Sequence, residues 1–180
     1  ICSAGLSSKN QINISDREYF LQLTKSTAET PIISKPIIGR VTGKHSIVVA
    51  RRVNMPDGSF GGITYGVIPL DYFENLFSSF DVGAHGAIGI RDMNQALVAL
   101  YPKSPGEGGK IGSRIITETT LALLKSNPIK GTVTIAYKRD NIERTLSYHK
   151  IGDYPLYMYV GQATADYLQP WHKETAIALS

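Results

Sequence analysis

The sequence predicts an α+β fold built from two tandem units, each an antiparallel sheet with flanking helices. Three observations predict it. β-branched and aromatic runs recur in pairs across short turn segments in both halves. Each set of strands is followed by a stretch with helical spacing of apolar residues. Finally, "GVIPLDYF" (66–73) and "GQATADYL" (161–168) share one plan, Gly, four residues, Asp-Tyr and an apolar residue, at an offset of 95 positions.

The elements follow in chain order. In "NISDREYFLQL" (13–23), Ser15 can cap a helix and Glu18 can close a capping box, with Ile14 and Tyr19 as a hydrophobic staple. Arg17 does not fit: a cation in the first turn opposes the helix dipole by roughly 0.3–1 kcal/mol. "HSIVVARRV" (45–53) and "SFGGITYGVI" (59–68) read as a hairpin across "NMPDG", where Pro56-Asp57-Gly58 has turn chemistry. Leu70, Phe73, Leu76, Phe77 and Phe80 then recur at helical spacing after Pro69. "GAIGIRD" (86–92) and "ALVALY" (96–101) form a second hairpin across "MNQ". "KSPGEGGKIGS" (103–113) reads as a loop and 113–127 as a helix stopped by Asn127-Pro128. Strands are expected over 131–139, 143–151 and 155–162, and a terminal helix over 165–179, irregular near Pro170. On the overlay of the halves, residues 1–8 take the place of 96–103. The first copy then lacks the strand equivalent to "GAIGIRD".

Composition narrows the function. The 180 residues are 42% apolar and 19% charged, a globular balance. The net charge is +4, but Lys and Arg are scattered, which argues against nucleic acid as a partner. Arg51-Arg52 reads as one exposed and one buried position of a strand. Cys2 is the only cysteine, so there is neither a disulfide framework nor a cysteine metal site. No apolar run approaches the roughly 18 residues that span a bilayer.

The chemistry candidates are few. His45, His85, His149 and His172 have no metal-ligand spacing, so no metal is expected. No nucleophile elbow occurs, and the Gly-rich segment places no hydroxyl after Lys110 as a phosphate loop requires. No catalytic residue is assigned and the fragment is expected not to be an enzyme. Asp71 and Asp166 head the two repeat helices, where charge and capping explain them. Arg17 is open between two roles. It pairs with Asp16, Glu18 or Glu29 on the surface, or it reaches over the sheet beside Tyr19 and Phe20 as a bidentate fork for an anion.

"DREYF" followed by "ISKPIIGRVTGKHSIVVARRVNMPDGSFGGITYGVIPLDYF" resembles the extracytoplasmic double Cache sensor domains of bacterial signalling proteins, also described as PDC or PAS-like domains. The match rests on residues 13–80, and over 86–180 on the repeat. The resemblance implies two PAS-like units: a membrane-distal one over 1–82, truncated at its N-terminus, and a membrane-proximal one over 83–165. Residues 166–180 would be a helix leading towards a transmembrane segment. The family's long N-terminal helix and first strand are absent from this chain. It implies a periplasmic portion of an inner-membrane protein whose cytoplasmic output is a diguanylate cyclase or histidine kinase. The distal unit would bind a small molecule. Arg17, Tyr19 and Phe20 occupy the family's Arg-x-aromatic-aromatic pattern, Ser34 and Lys35 belong to the segment roofing the pocket, and Tyr65 faces it from a strand. Val67 stands where amino-acid-binding members are expected to carry an aspartate, so a carboxylate or similar anion is favoured. No cofactor is implied. The alternative is a ligand-free homodimerisation or spacer element, or a module for a partner protein.

Overall fold

Local chemistry places the first helix later than the capping pattern predicts. The structure, a computed structural model, describes residues 12–28, 30–137 and 141–168. Helix α1 spans Glu18–Lys25, and Arg17 is its N-cap, in extended backbone and with no side-chain cap hydrogen bond. Ser15 does not cap: its N–H donates to Asn13 Oδ1 (2.9 Å) in a turn of its own. The box does not close either, because the Glu18 carboxylate accepts from Lys35 Nζ at 2.8 Å. The staple pair survives, with Ile14 and Tyr19 buried in one cluster.

The first sheet centres on β3 (His45–Asn54), paired antiparallel with β4 (Phe60–Pro69). The hairpin forms where the turn residues demand it. Asp57 Oδ1 accepts from Ser59 N–H at 2.9 Å, and Gly58 takes φ +82, a left-handed conformation that favours glycine. Pro69 closes β4 opposite Ser46 and does not open the next helix. The other edge of β3 carries two short strands, β1 (Ile32–Ile33) and β2 (Ile37–Ile38). Ile33 faces Val49 and Ile37 faces Ser46, four steps against three, so the edge contains a bulge at Ser34-Lys35-Pro36. Ser34 stays tied to β3: its N–H donates to Val48 O (2.8 Å) and its Oγ accepts from Val48 N–H (2.9 Å). This segment was expected to roof a pocket and instead forms a sheet edge.

One face of this sheet is covered by α1. Tyr19, Leu23, Ile14, Val48 and Ala50 form the buried cluster, with Phe20, Ile32, Ile37, Ile63 and Tyr65 packed against it. Arg52 is buried on the same face and Arg51 is exposed. The Arg52 guanidinium donates to Leu23 O (3.0 Å) and Thr24 O (3.1 Å) at the C-terminal end of α1, and it lies over the Phe60 ring. It satisfies carbonyls that the helix end leaves unpaired.

Helix α2 spans Leu70–Phe77, shorter than the expected 69–80. The chain divides into two compact units between Leu70 and Asp71. In the second unit β5 (Ala87–Asp92), β6 (Leu97–Tyr101), β7 (Lys130–Tyr137), β8 (Ile142–Lys150) and β9 (Leu156–Ala163) form one antiparallel sheet in the order β6-β5-β9-β8-β7. Helix α3 spans Glu118–Ser126, five residues later than the spacing predicts at its start. Thr117 caps it by accepting from Thr120 N–H, while Arg91 holds the Ser113 and Ile115 carbonyls, which fixes this approach to the helix. Tyr148, Tyr157 and Tyr159 fill the sheet face together with Ile116, Leu123, Leu124 and Leu146.

The two sheets share a connection plan. β4 runs into α2, and β9 runs into a helical turn at 164–168, so β3-β4 and β8-β9 are equivalent hairpins. β7 flanks β8 as β1 and β2 flank β3. β5 and β6 have no counterpart among the described residues of the first unit. The expected strand at 1–8, Cys2, the ends of the strand at 138–139, Glu29 and the terminal helix beyond 168 lie outside the described residues.

Candidate functional site

The geometry of the first sheet sets out a site at one end of α1. Cross-strand register puts Ile63, Tyr65 and Val67 of β4 on the face that carries Arg52, Ala50 and Val48 of β3. Arg17 Nη2 donates to Ile38 O at 3.1 Å, which fixes the start of α1 over the Ile38–His45 end of the sheet. The end of α1 is fixed over Arg52 by the two carbonyl bonds. Between them Tyr19 meets Tyr65, ring centroid to ring centroid, at 6.2 Å. Val67, two residues further along the same face, is 45% exposed. The helix therefore leaves the sheet uncovered beside Tyr65.

Polar groups converge on that opening. Tyr19 is 4% exposed, and burial first and Tyr65 second push its hydroxyl pKa up. The guanidinium groups of Arg17 and Arg40 act on it in the opposite sense. Among the described residues neither the Tyr19 nor the Tyr65 hydroxyl has a hydrogen-bond partner. Arg17 spends one N–H on Ile38 O, and its five donors leave the others for a guest. Arg40 is committed: it bonds Asn13 O, and its Nη2 lies 2.5 Å from Asp16 Oδ2, which holds the Asp16 carboxyl below its ordinary range.

The six residues singled out from the sequence divide on this basis. Arg17, Tyr19 and Tyr65 come together at the opening. Phe20 packs edge-on against Phe60 at 5.8 Å, in the wall beside Arg52. Ser34 is used by β3, and Lys35 is an exposed partner of Glu18. Sequence reasoning missed Arg40 and Arg52. The signal for Arg52 was its place in a β-branched strand, where a cation has to find acceptors. A surface hollow of about 420 Å³ lined by Asp16, Glu18, Leu21, Gln22 and Lys25 lies on the outward side of α1, away from Tyr19 and Leu23. Its lining residues are exposed and no phenol reaches it, so the inner face is the better site.

The chain has the fold of the extracytoplasmic sensor domains of histidine kinases and chemoreceptors, the double Cache or PDC fold, α+β with two antiparallel sheets. It is similar to the extracellular domain of a candidate histidine kinase, rpHK1S-Z16, at 25% identity and a TM-score of 0.70, covering 88% of this chain and 64% of that one. The ligand-binding domain of the Campylobacter jejuni chemoreceptor Tlp3, solved with L-norvaline, matches at 16% identity and a TM-score of 0.56, over 86% of this chain and 55% of that one. The ligand-binding domain of the Pseudomonas fluorescens chemoreceptor CtaA, solved with L-alanine, matches at 17% and 0.57, over 86% and 63%. The chain thus spans less than two thirds of each. No protein-family profile and no curated protein matches it.

Proposed function

We propose that this chain is the small-molecule sensing portion of a membrane-anchored receptor, on the extracytoplasmic side, and that its ligand is a small carboxylate bound on the first unit. One observation carries the reading. In the second unit every phenol of the tyrosine cluster is satisfied by protein: Tyr148 donates to Leu123 O and Asn127 O, Tyr157 to Pro128 O and Tyr159 to Gln95 Oε1. In the first unit the Tyr19 and Tyr65 hydroxyls bond no protein group among the described residues and sit beside a guanidinium that spends one of its five N–H groups on Ile38 O. Arg17 and Tyr65 are half-buried, so their groups without a protein partner face the opening and can be turned to a guest. A carboxylate takes two acceptor oxygens to Arg17 and leaves its apolar end against Val67. Val67, in place of an acid, offers nothing to an ammonium, which supports a ligand without one. The fold's relatives support the sensor role. A kinase or cyclase output and a binding rather than a catalytic role for the chain complete the proposal. No helix among the described residues is long and apolar enough to cross a membrane.

The test is a thermal-shift and calorimetric screen of the chain with short carboxylates and with amino acids, repeated on Arg17→Ala. Binding of carboxylates lost in the variant is the expected result. Binding untouched by that change removes Arg17 from the site.

A second reading is a ligand-free dimerisation, spacer or partner-binding module. Tyr72 and Leu76, one turn apart on α2, favour it, at 57% and 42% exposure. Sedimentation of the chain across concentration, without added ligand, decides whether it self-associates.

A further inference from the structure

The second unit holds a polar cluster that the tyrosine packing does not explain. Arg91 on β5 lies opposite Tyr157, so Tyr159 is its diagonal neighbour on the same sheet face, within reach of a long side chain. The β5-β6 pairing slips just here: Ile90 faces Ala99 while Arg91 faces Leu97, a bulge that re-aims the strand. Both Nη1 protons of Arg91 go to carbonyls, Gln95 O at 2.7 Å and Ser113 O at 3.1 Å, and one Nη2 proton goes to Ile115 O at 3.0 Å. That leaves the Nε–H and one Nη2–H without a partner among the described residues. Nor does any carboxylate of the described residues come within ion-pair distance of this guanidinium. The adjacent Asp92 carboxylate faces away, accepting from the Asn94 and Ala96 N–H groups. Burial lowers the Arg91 pKa, which marks a cation taken out of water.

Gln95 adds an independent observation. It is 6% exposed, and its backbone sits at φ +62, unusual for a residue with a side chain. Its Oε1 accepts from Tyr159 O–H at 2.6 Å. Its Nε2 is buried and has no partner among the described residues. An amide donor buried without an acceptor loses its bond to water and gains none in return. A water molecule could accept from it, but would bring no charge to the half-buried guanidinium, whose neighbouring Asp92 carboxylate is bonded to backbone N–H groups. A small anion does both.

We propose that the second unit has a binding site of its own, formed by Arg91, Gln95 and Tyr159, that takes a carboxylate of formate or acetate size. The two oxygens match the free fork of the guanidinium, and a third donor comes from the Gln95 amide. A small ion is named because the Gln95 amide nitrogen is fully buried, where a bulky guest would not reach it. This site does not depend on the ligand of the first unit.

The experiment uses formate as the probe, at constant ionic strength with chloride as control, on the 180-residue chain. The melting temperature and the ¹⁵N-resolved side-chain amide of Gln95 are followed together. Formate should shift the Gln95 amide saturably and raise the melting temperature. Gln95→Met should reduce the rise to what the first unit contributes, Arg91→Lys should weaken the formate-induced Gln95 shift about tenfold by losing the planar fork, and Arg17→Ala should leave that Gln95 shift intact. If the Gln95 amide in the unmodified chain does not respond to formate, its partner is water only and the proposal fails. An equal rise in Gln95→Met also overturns it. Loss of the formate response in Arg17→Ala assigns it to the first unit and overturns the second site, not the first.

Discussion

Tyr19 on α1 and Tyr65 on β4 place their rings 6.2 Å apart, and neither hydroxyl is bonded to protein among the described residues. Their rings serve the core and their oxygens do not. Tyr65→Phe should therefore leave the urea midpoint nearly unchanged. It should weaken the carboxylate ligand by the worth of one hydrogen bond, about 0.5–1.5 kcal/mol. Calorimetry beside urea unfolding checks both. A large loss of stability with unchanged binding would make the hydroxyl structural.

Arg17 makes a charge-assisted contact in this reading, worth about 1.5–3 kcal/mol, or on the order of 10- to 150-fold in affinity. That exceeds the penalty for a cation at the start of α1. Arg17→Lys should recover only part of the loss left by Arg17→Ala, since an ammonium has no fork. The same titration in the three proteins reads it out.

Arg52 acts on the site from the other end of α1. Arg52→Met keeps the bulk over Phe60 but strips Leu23 O and Thr24 O of their donor. The expected cost is about 2–4 kcal/mol, measured by urea unfolding. Amide exchange should quicken in Glu18–Lys25 before it does in β3.

Asp166 predicts acid sensitivity. It accepts from His85 N–H at 2.7 Å and meets His85 Nδ1 at 2.9 Å, and these bonds hold its carboxyl below the ordinary aspartate range. A depressed folded-state pKa means stability that is present above the unfolded value, about 3.9. It is lost as pH falls through the lower folded value. Asp166→Asn should lower the melting temperature at neutral pH and flatten its fall below about pH 4. A parallel fall in both proteins would remove the pair from the acid response.

The hairpin of β3 and β4 was legible in the sequence because Asp57 and Gly58 carry their own turn chemistry. Arg51-Arg52 was legible as one buried and one exposed strand position, though not with Arg52 as the buried one, because its helix-end partners lie 28 and 29 residues away. The repeat was legible because Gly66 to Asp71 and Gly161 to Asp166 mark the same strand-to-helix passage. β1 and β2 were not, since two-residue strands show no alternation and Pro36 argues against a strand. The start of α1 misled because Ser15 and Glu18 fit a capping box locally, while Asn13 and Lys35 compete for them. Gln95 gave no signal at all. Nothing in "MNQ" announces a left-handed glutamine held by a distant tyrosine.

The bulge at Ser34-Lys35-Pro36 has a bearing on solubility. A long, straight outer strand would offer a run of free amides to any neighbouring chain. Here the border of the first sheet breaks into two short pieces, with a charged lysine and a proline lacking an N–H at the break. Replacing Lys35-Pro36 by Val-Thr would lengthen the border into a template, and cross-chain pairing leading to aggregation should follow without loss of the fold itself.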